Sequence, residues 1–150
     1  PFLDTDGLIE QRSGSTIEAM VAAGGWDDFR DCERLVVAEV SQKSPLVIAT
    51  GGGVVLDGDN VRNLKRKGWL VWLKAPARVL GERMSRDRRQ GKDRPSLTDA
   101  DPLDEIDAVL RQREPLYEKA SDWAVDTAGF TIAEVTSLIL DEYERRRLRI

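Results

Sequence analysis

Asp4 and Asp6, in "FLDTD", stand one residue apart near the start of the chain, where a short strand reads as ending. Carboxylates at that spacing can share a polar site. One faces a hydrated cation while the other accepts a proton or orients a hydroxyl. The plainer alternative is a helix cap, with Asp6 capping a turn at Leu8 to Arg12. A metal-binding D-x-D of the kind used by nucleotide-sugar transferases fits poorly with so short a chain. Further along, "TGGG" at Thr50 to Gly53 closes the apolar run "LVIA". Ordering glycine loses more backbone entropy than ordering any other residue. A tight turn with positive φ explains one or two glycines. Three in a row predict a close approach of backbone to a ligand.

Arg30 and Glu33 lie one helical turn apart, and Arg113 sits in "RQREPLY". Surface ion pairs on solvated helix faces would account for them. A guanidinium fork also matches a carboxylate, so two converging arginines would grip an acidic substrate. The chain has no histidine, so acid–base work near neutral pH falls to carboxylates, lysine, tyrosine or the single cysteine, Cys32. On spacing, Cys32 reads as a small core residue on the helix that carries Arg30. The basic stretch from Arg86 to Arg94 is an ordinary solvated loop, or a segment that closes over phosphates. Its "RQGKD" is not a phosphate-binding loop, which needs G-x-x-x-x-G-K-[ST]. Arg86 occupies the first glycine position and Asp93 the Ser/Thr position.

The elements that must position these residues follow from patterning. Phe2–Leu3, "LVIAT", "WLVWL" and "WAVDT" read as buried strands. Ser15 with Glu18 forms a capping box that opens a helix ended by Gly24 and Gly25. A second helix carries Phe29, Cys32, Val36 and Val40 on one face. "NVRNLKRKG" is a short helix closed by Gly68, and "PARVLGERM" starts on a first-turn Pro76. Ser85 to Asp101 reads as a long polar loop. "LDEIDAVLRQREPLYEKAS" is helical, kinked or split by Pro115. Thr131 and Glu134 make another capping box before a helix with Ile132, Val135, Leu138, Ile139 and Tyr143 on one face. Strands alternating with helices predict an α/β fold with a parallel sheet. Ligands in such sheets bind beyond the carboxyl ends of the strands. "DTD", "TGGG" and "VDT" all fall there.

The composition is that of one globular domain: 150 residues, 41% apolar, 33% charged. A net charge of −4 implies no general attraction to nucleic acid. No apolar run approaches the roughly 20 residues of a membrane helix, no secretory leader is visible, and one cysteine allows no internal disulfide. A soluble cytoplasmic setting is expected.

Taken in order, "FLDTDGLIE", "DDFRDCE", "VIATGGG", "DRPSL", "QREPLY" and "AVDT" resemble shikimate kinase over essentially the whole chain. The resemblance implies a three-layer α/β/α P-loop kinase fold of strand order 2-3-1-4-5. It implies transfer of the γ-phosphoryl group of MgATP to the 3-hydroxyl of shikimate, on the route to chorismate and the aromatic amino acids. Asp6 would hold the shikimate hydroxyls and position or deprotonate the nucleophile. Asp4 would lie in the Mg2+ shell through water. Arg30 and Arg113 would bind the shikimate carboxylate, with Glu33 holding Arg30. Gly51, Gly52 and Gly53 would lie against the substrate ring. Arg94, on a lid at about residues 86–101, would neutralise phosphoryl charge, and Arg83 would lie near the adenine beside Asp126 and Thr127. A monomer is expected, with shikimate and ATP as its partners.

The same resemblance implies a first strand, P-loop and helix that these residues do not contain. They amount to about 30 residues, the usual size of such a unit, and the strand would sit between "LVIAT" and "WLVWL". Residues 1–150 are thus expected to form a single shikimate kinase domain without that unit, inactive alone. The alternatives are a non-catalytic shikimate-binding module and a related small-molecule kinase such as a gluconate kinase.

Overall fold

The computed structural model describes residues 1–89 and 102–148. Arg94 and the greater part of the expected lid lie outside the described residues. The chain runs β1 (Phe2–Asp4), α1 (Thr5–Ser13), α2 (Ile17–Val40), β2 (Val47–Ala49), a 3-10 turn (Val54–Leu56), α3 (Gly58–Lys65), β3 (Val71–Lys74), α4 (Ala77–Arg89), α5 (Pro102–Ala120), β4 (Trp123–Asp126) and α6 (Ile132–Arg147). It is an α/β fold with parallel strands, as the alternation of elements predicts.

The strands form two parallel pairs. β1 pairs with β2, Asp4 facing Ala49, and β3 pairs with β4, Lys74 facing Asp126. Among the described residues no ladder joins the two pairs. The order 2-3-1-4-5 places its second strand beside its third and its fourth beside its fifth, and these are the two pairs observed. Val47 and Leu73, on β2 and β3, are exposed.

The element α2 supplies more of the core than any other described element, with Phe29, Val36, Val37 and Val40 buried. Ile9 of α1 packs with its Phe29, Val36 and Val40 in one buried cluster, with Leu3, Cys32 and Ile48 against it. Val37, on the adjoining face, packs with Val54 and Leu64. Each fully buried side chain of this size contributes about 1.5–3 kcal/mol, so α2 is the element on which both clusters hang.

Several local expectations change. The cap of α2 is Thr16, whose hydroxyl accepts from the Ala19 amide at 3.2 Å, not Ser15. The preceding turn makes this choice, because Glu10 accepts from the Ile17 amide at 3.0 Å and fixes the entry. The expected helix end at Gly24 and Gly25 is met, since Gly25, at φ 80° and ψ −178°, leaves helical geometry and divides Ile17–Val40 into two helices across a kink. α4 runs on through Ser85 to Arg89, residues expected in a loop. Pro115 does not split α5. It lacks the N–H that would bond the Arg111 carbonyl, yet the helix continues around it. The box of Thr131 and Glu134 forms as expected. The apolar face of α6 is only half covered at Val135, Leu138 and Ile139, and Ile132 and Tyr143 are exposed. No helix among the described residues is long and apolar enough to cross a membrane.

Candidate active site

The carboxyl ends of β1 and β2 lie side by side, and the candidate residues gather there. Asp4, not Asp6, is the cap of α1: its Oδ1 accepts from the Asp6 amide at 2.9 Å. Asp6 instead stands in the first turn of α1, where the helix dipole favours an anion. The cause is that β1 runs as far as Asp4 in extended conformation, so the helix starts one residue later, at Thr5.

None of the three glycines after β2 has positive φ, so turn geometry does not demand them. The space beside each is taken by a different side chain. A Cβ on Gly51 would lie 3.0 Å and 3.3 Å from the carboxylate oxygens of Asp6. On Gly52 it would lie 3.1 Å from the Tyr117 hydroxyl, which donates to the Gly52 carbonyl at 2.8 Å. On Gly53 it would lie 2.5 Å from Cζ of Arg30, which is a collision. The triplet is thus a bare strip of backbone against which one carboxylate, one phenol and one guanidinium are set.

Arg30 is held from several sides. Its Nη1 donates to Oε2 of Glu33 at 2.7 Å. Its guanidinium lies 5.0 Å from the Phe29 ring centre and 5.5 Å from that of Trp26, within cation–π range. Glu33 is fully buried, and its Oε1 has no hydrogen-bond partner among the described residues. Burial pushes its carboxyl above the ordinary range. Arg30 pulls the other way, while Asp6 and Asp57 nearby add to the rise. The sign for stability follows. A carboxyl raised in the folded state stabilises most below its unfolded pKa, about 4.3, and that contribution is lost as pH rises through the folded value. Urea titrations are expected to show the stability of the wild type falling relative to Glu33→Gln as pH rises through this interval. Parallel curves for the two proteins would contradict it.

Arg113 lies on α5 one turn before Tyr117, at i, i+4 on the same helix face. It is half-buried, and its Nε is covered without a hydrogen-bond partner among the described residues. Tyr117 on the Gly52 carbonyl brings this face of α5 to the glycines.

Arg83 stands apart, at the carboxyl ends of the other strand pair. Its Nη1 donates to the Thr127 hydroxyl and its Nη2 to the Thr127 carbonyl, both at 2.8 Å. That hydroxyl donates in turn to the Lys74 carbonyl at 2.9 Å. The juxtaposition of Arg83 with the segment after Asp126 is present, 44 residues apart in sequence. Asp4 is exposed and uses only Oδ1 in its cap. Among the described residues no group of three or more metal-ligating side chains forms. Mg2+ keeps several waters and takes one or two carboxylates beside substrate phosphates, a demand that the Asp4 oxygen outside the cap, unbonded among the described residues, fits.

Sequence reasoning missed two residues of the cluster, Tyr117 and Trp26. Both had a legible signal. Tyr117 is four residues after Arg113, and Trp26 four residues before Arg30, so each aromatic shares a helix face with a candidate arginine.

The family model for shikimate kinase matches residues 1–144. A shikimate kinase of Thermodesulfovibrio yellowstonii is 40% identical over 144 residues, covering 96% of this chain and 80% of that protein. One of Syntrophus aciditrophicus is 35% identical over 158 residues, covering 100% and 81%. Among solved structures, a shikimate kinase from Acinetobacter baumannii in complex with shikimate superposes with a TM-score of 0.90. It is 31% identical and is matched over 98% of this chain and 80% of its own. The one from Aquifex aeolicus gives 0.79 at 28% identity, over 99% and 83%. A family model spanning nearly all of the chain, relatives of this identity and the same fold agree: the chain belongs to the shikimate kinase family.

Proposed function

We propose that this chain forms the acceptor half of a site that transfers the γ-phosphoryl group of ATP to the 3-hydroxyl of shikimate, giving shikimate 3-phosphate and ADP. The observation that carries the reading is the glycine strip with Asp6 at one end and Arg30 at the other. The substrate ring would lie beside that strip, with its hydroxyls toward the carboxylate and its own carboxylate toward the guanidinium. Glu33, Trp26 and Phe29 hold Arg30 and leave part of its donor fork for that carboxylate. Arg113, from α5, would add the second cation.

Phosphoryl transfer is mainly positioning and electrostatics. Little charge develops on the nucleophile in a loose transition state, so Asp6 orients the 3-hydroxyl and takes its proton late. Asp4 would hold Mg2+ through water, and the ion would supply charge neutralisation at the phosphates. Arg83 and Thr127 would border the nucleotide base, and Arg94, outside the described residues, would neutralise phosphoryl charge. A single domain acting as a monomer suffices for these roles.

No G-x-x-x-x-G-K-[ST] occurs within the 150 residues, so they do not themselves supply a phosphate cradle. Titration of this chain with shikimate, followed by tryptophan fluorescence through Trp26, is expected to show saturable binding. Added MgATP is expected to give no appreciable shikimate 3-phosphate. Absence of shikimate binding would overturn the acceptor assignment, and appreciable turnover would overturn the division of the site.

A further inference from the structure

We infer that Tyr117 is a positioning residue for the acceptor site, acting through the carbonyl of Gly52. This rests on the acceptor reading above. Its hydroxyl donates to that carbonyl at 2.8 Å across 65 residues of sequence. Gly52 is the centre of the triplet, and the glycines on either side abut Asp6 and Arg30. A shift of the Gly52 peptide therefore moves the backbone against which both the carboxylate and the guanidinium rest.

The phenol is itself fixed. Its ring packs against Trp72 of β3 with centres 5.3 Å apart. Lys74 lies over Trp72 at 4.3 Å and approaches Glu114 on α5 at 3.8 Å. Tyr117 thus joins the glycine strip after β2 to the second strand pair, although no ladder connects the pairs among the described residues. The same helix face carries Arg113, so one anchor sets the register of α5 against the strip. The glycines themselves continue into a 3-10 turn, where Val54 donates to the Gly51 carbonyl at 3.1 Å and Leu56 to that of Gly53 at 3.0 Å. Those two amides report on whether the strip is held.

The test is Tyr117→Phe, which keeps the ring against Trp72 and removes only the donor. Amide exchange at Val54 and Leu56 is expected to accelerate about tenfold, the scale of one net hydrogen bond. The shikimate dissociation constant is expected to rise about as much, with the melting temperature unchanged. A residue serving stability alone would lower the melting temperature and leave the affinity in place, which overturns the inference. So does accelerated exchange with unchanged affinity, or no change in either. Should the wild type not bind shikimate, the acceptor reading fails. The exchange at Val54 and Leu56 then still decides whether Tyr117 holds the strip.

Discussion

Arg30→Ala is expected to raise the shikimate dissociation constant by a hundredfold or more. Each hydrogen bond to a charged group contributes about 1.5–3 kcal/mol, and a guanidinium that meets a carboxylate with two of them loses both. The same substitution strands Glu33, a fully buried carboxyl whose Oε2 has Arg30 as its bonded partner at 2.7 Å. Breaking a buried pair from one side costs about 3–5 kcal/mol. The cost here is smaller, because Arg30 retains 20% of its side-chain exposure and Glu33 can take up a proton. Stability of Arg30→Ala should therefore decline as pH rises and the stranded carboxyl is forced to ionise. Two measurements separate binding from folding. Arg30→Met with Glu33→Gln removes both charges, and is expected to recover the melting temperature without recovering shikimate affinity. A double variant that bound shikimate like the wild type would show that Arg30 holds the fold and not the ligand.

Gly53→Ala is expected to weaken shikimate binding by about a hundredfold, the scale of a misplacement of about 1 Å in a positioned group. The backbone should hardly notice. Gly53 has φ −82° and ψ −7°, which alanine adopts freely, and replacing such a glycine typically adds about 0.4–1 kcal/mol of stability. The new Cβ would instead meet the Arg30 guanidinium, 2.5 Å from Cζ. That group is the far end of a flexible side chain, so it yields, leaving Glu33 and the aromatic faces as it goes. The expected outcome is much lower affinity with a melting temperature no higher than that of the wild type, because the backbone gain is offset as Glu33 loses its bonded partner. Combining Gly53→Ala with Arg30→Ala should add almost nothing to the loss from Arg30→Ala alone, because both act through one guanidinium. Additive losses would place the effect of Gly53 elsewhere, as would unchanged affinity in the single variant. Gly51→Ala is the milder comparison, since its Cβ would sit 3.0 Å from an Asp6 oxygen.

The sequence made the elements legible wherever a short-range signal decides them. The Thr131–Glu134 box, the α2 face of Phe29, Val36 and Val40, and all the strands are of this kind. Caps separated by one residue were not so decided. Ser15 and Thr16 are equivalent in type, and the bond from Ile17 to Glu10 settles which of them opens α2. Asp4 and Asp6 likewise exchange places because β1 ends where it does. Ser85 to Arg89 looked like loop on polarity alone, yet they continue α4. A polar sequence of good helix formers extends a helix already nucleated by its apolar first turns.

The candidate residues themselves were determined by type and spacing: a carboxylate at a strand end, arginines on helices, and three glycines with no local reason to be there. What the tertiary structure alone decided is why the glycines are three. Asp6, Tyr117 and Arg30 come from α1, α5 and α2, and each claims the space of one missing side chain. Local sequence carries no record of that meeting. The contacts span tens of residues and exist only once α2 has drawn α1 and the strands into its core, since burial, being non-directional, fixes no partner until the whole packs.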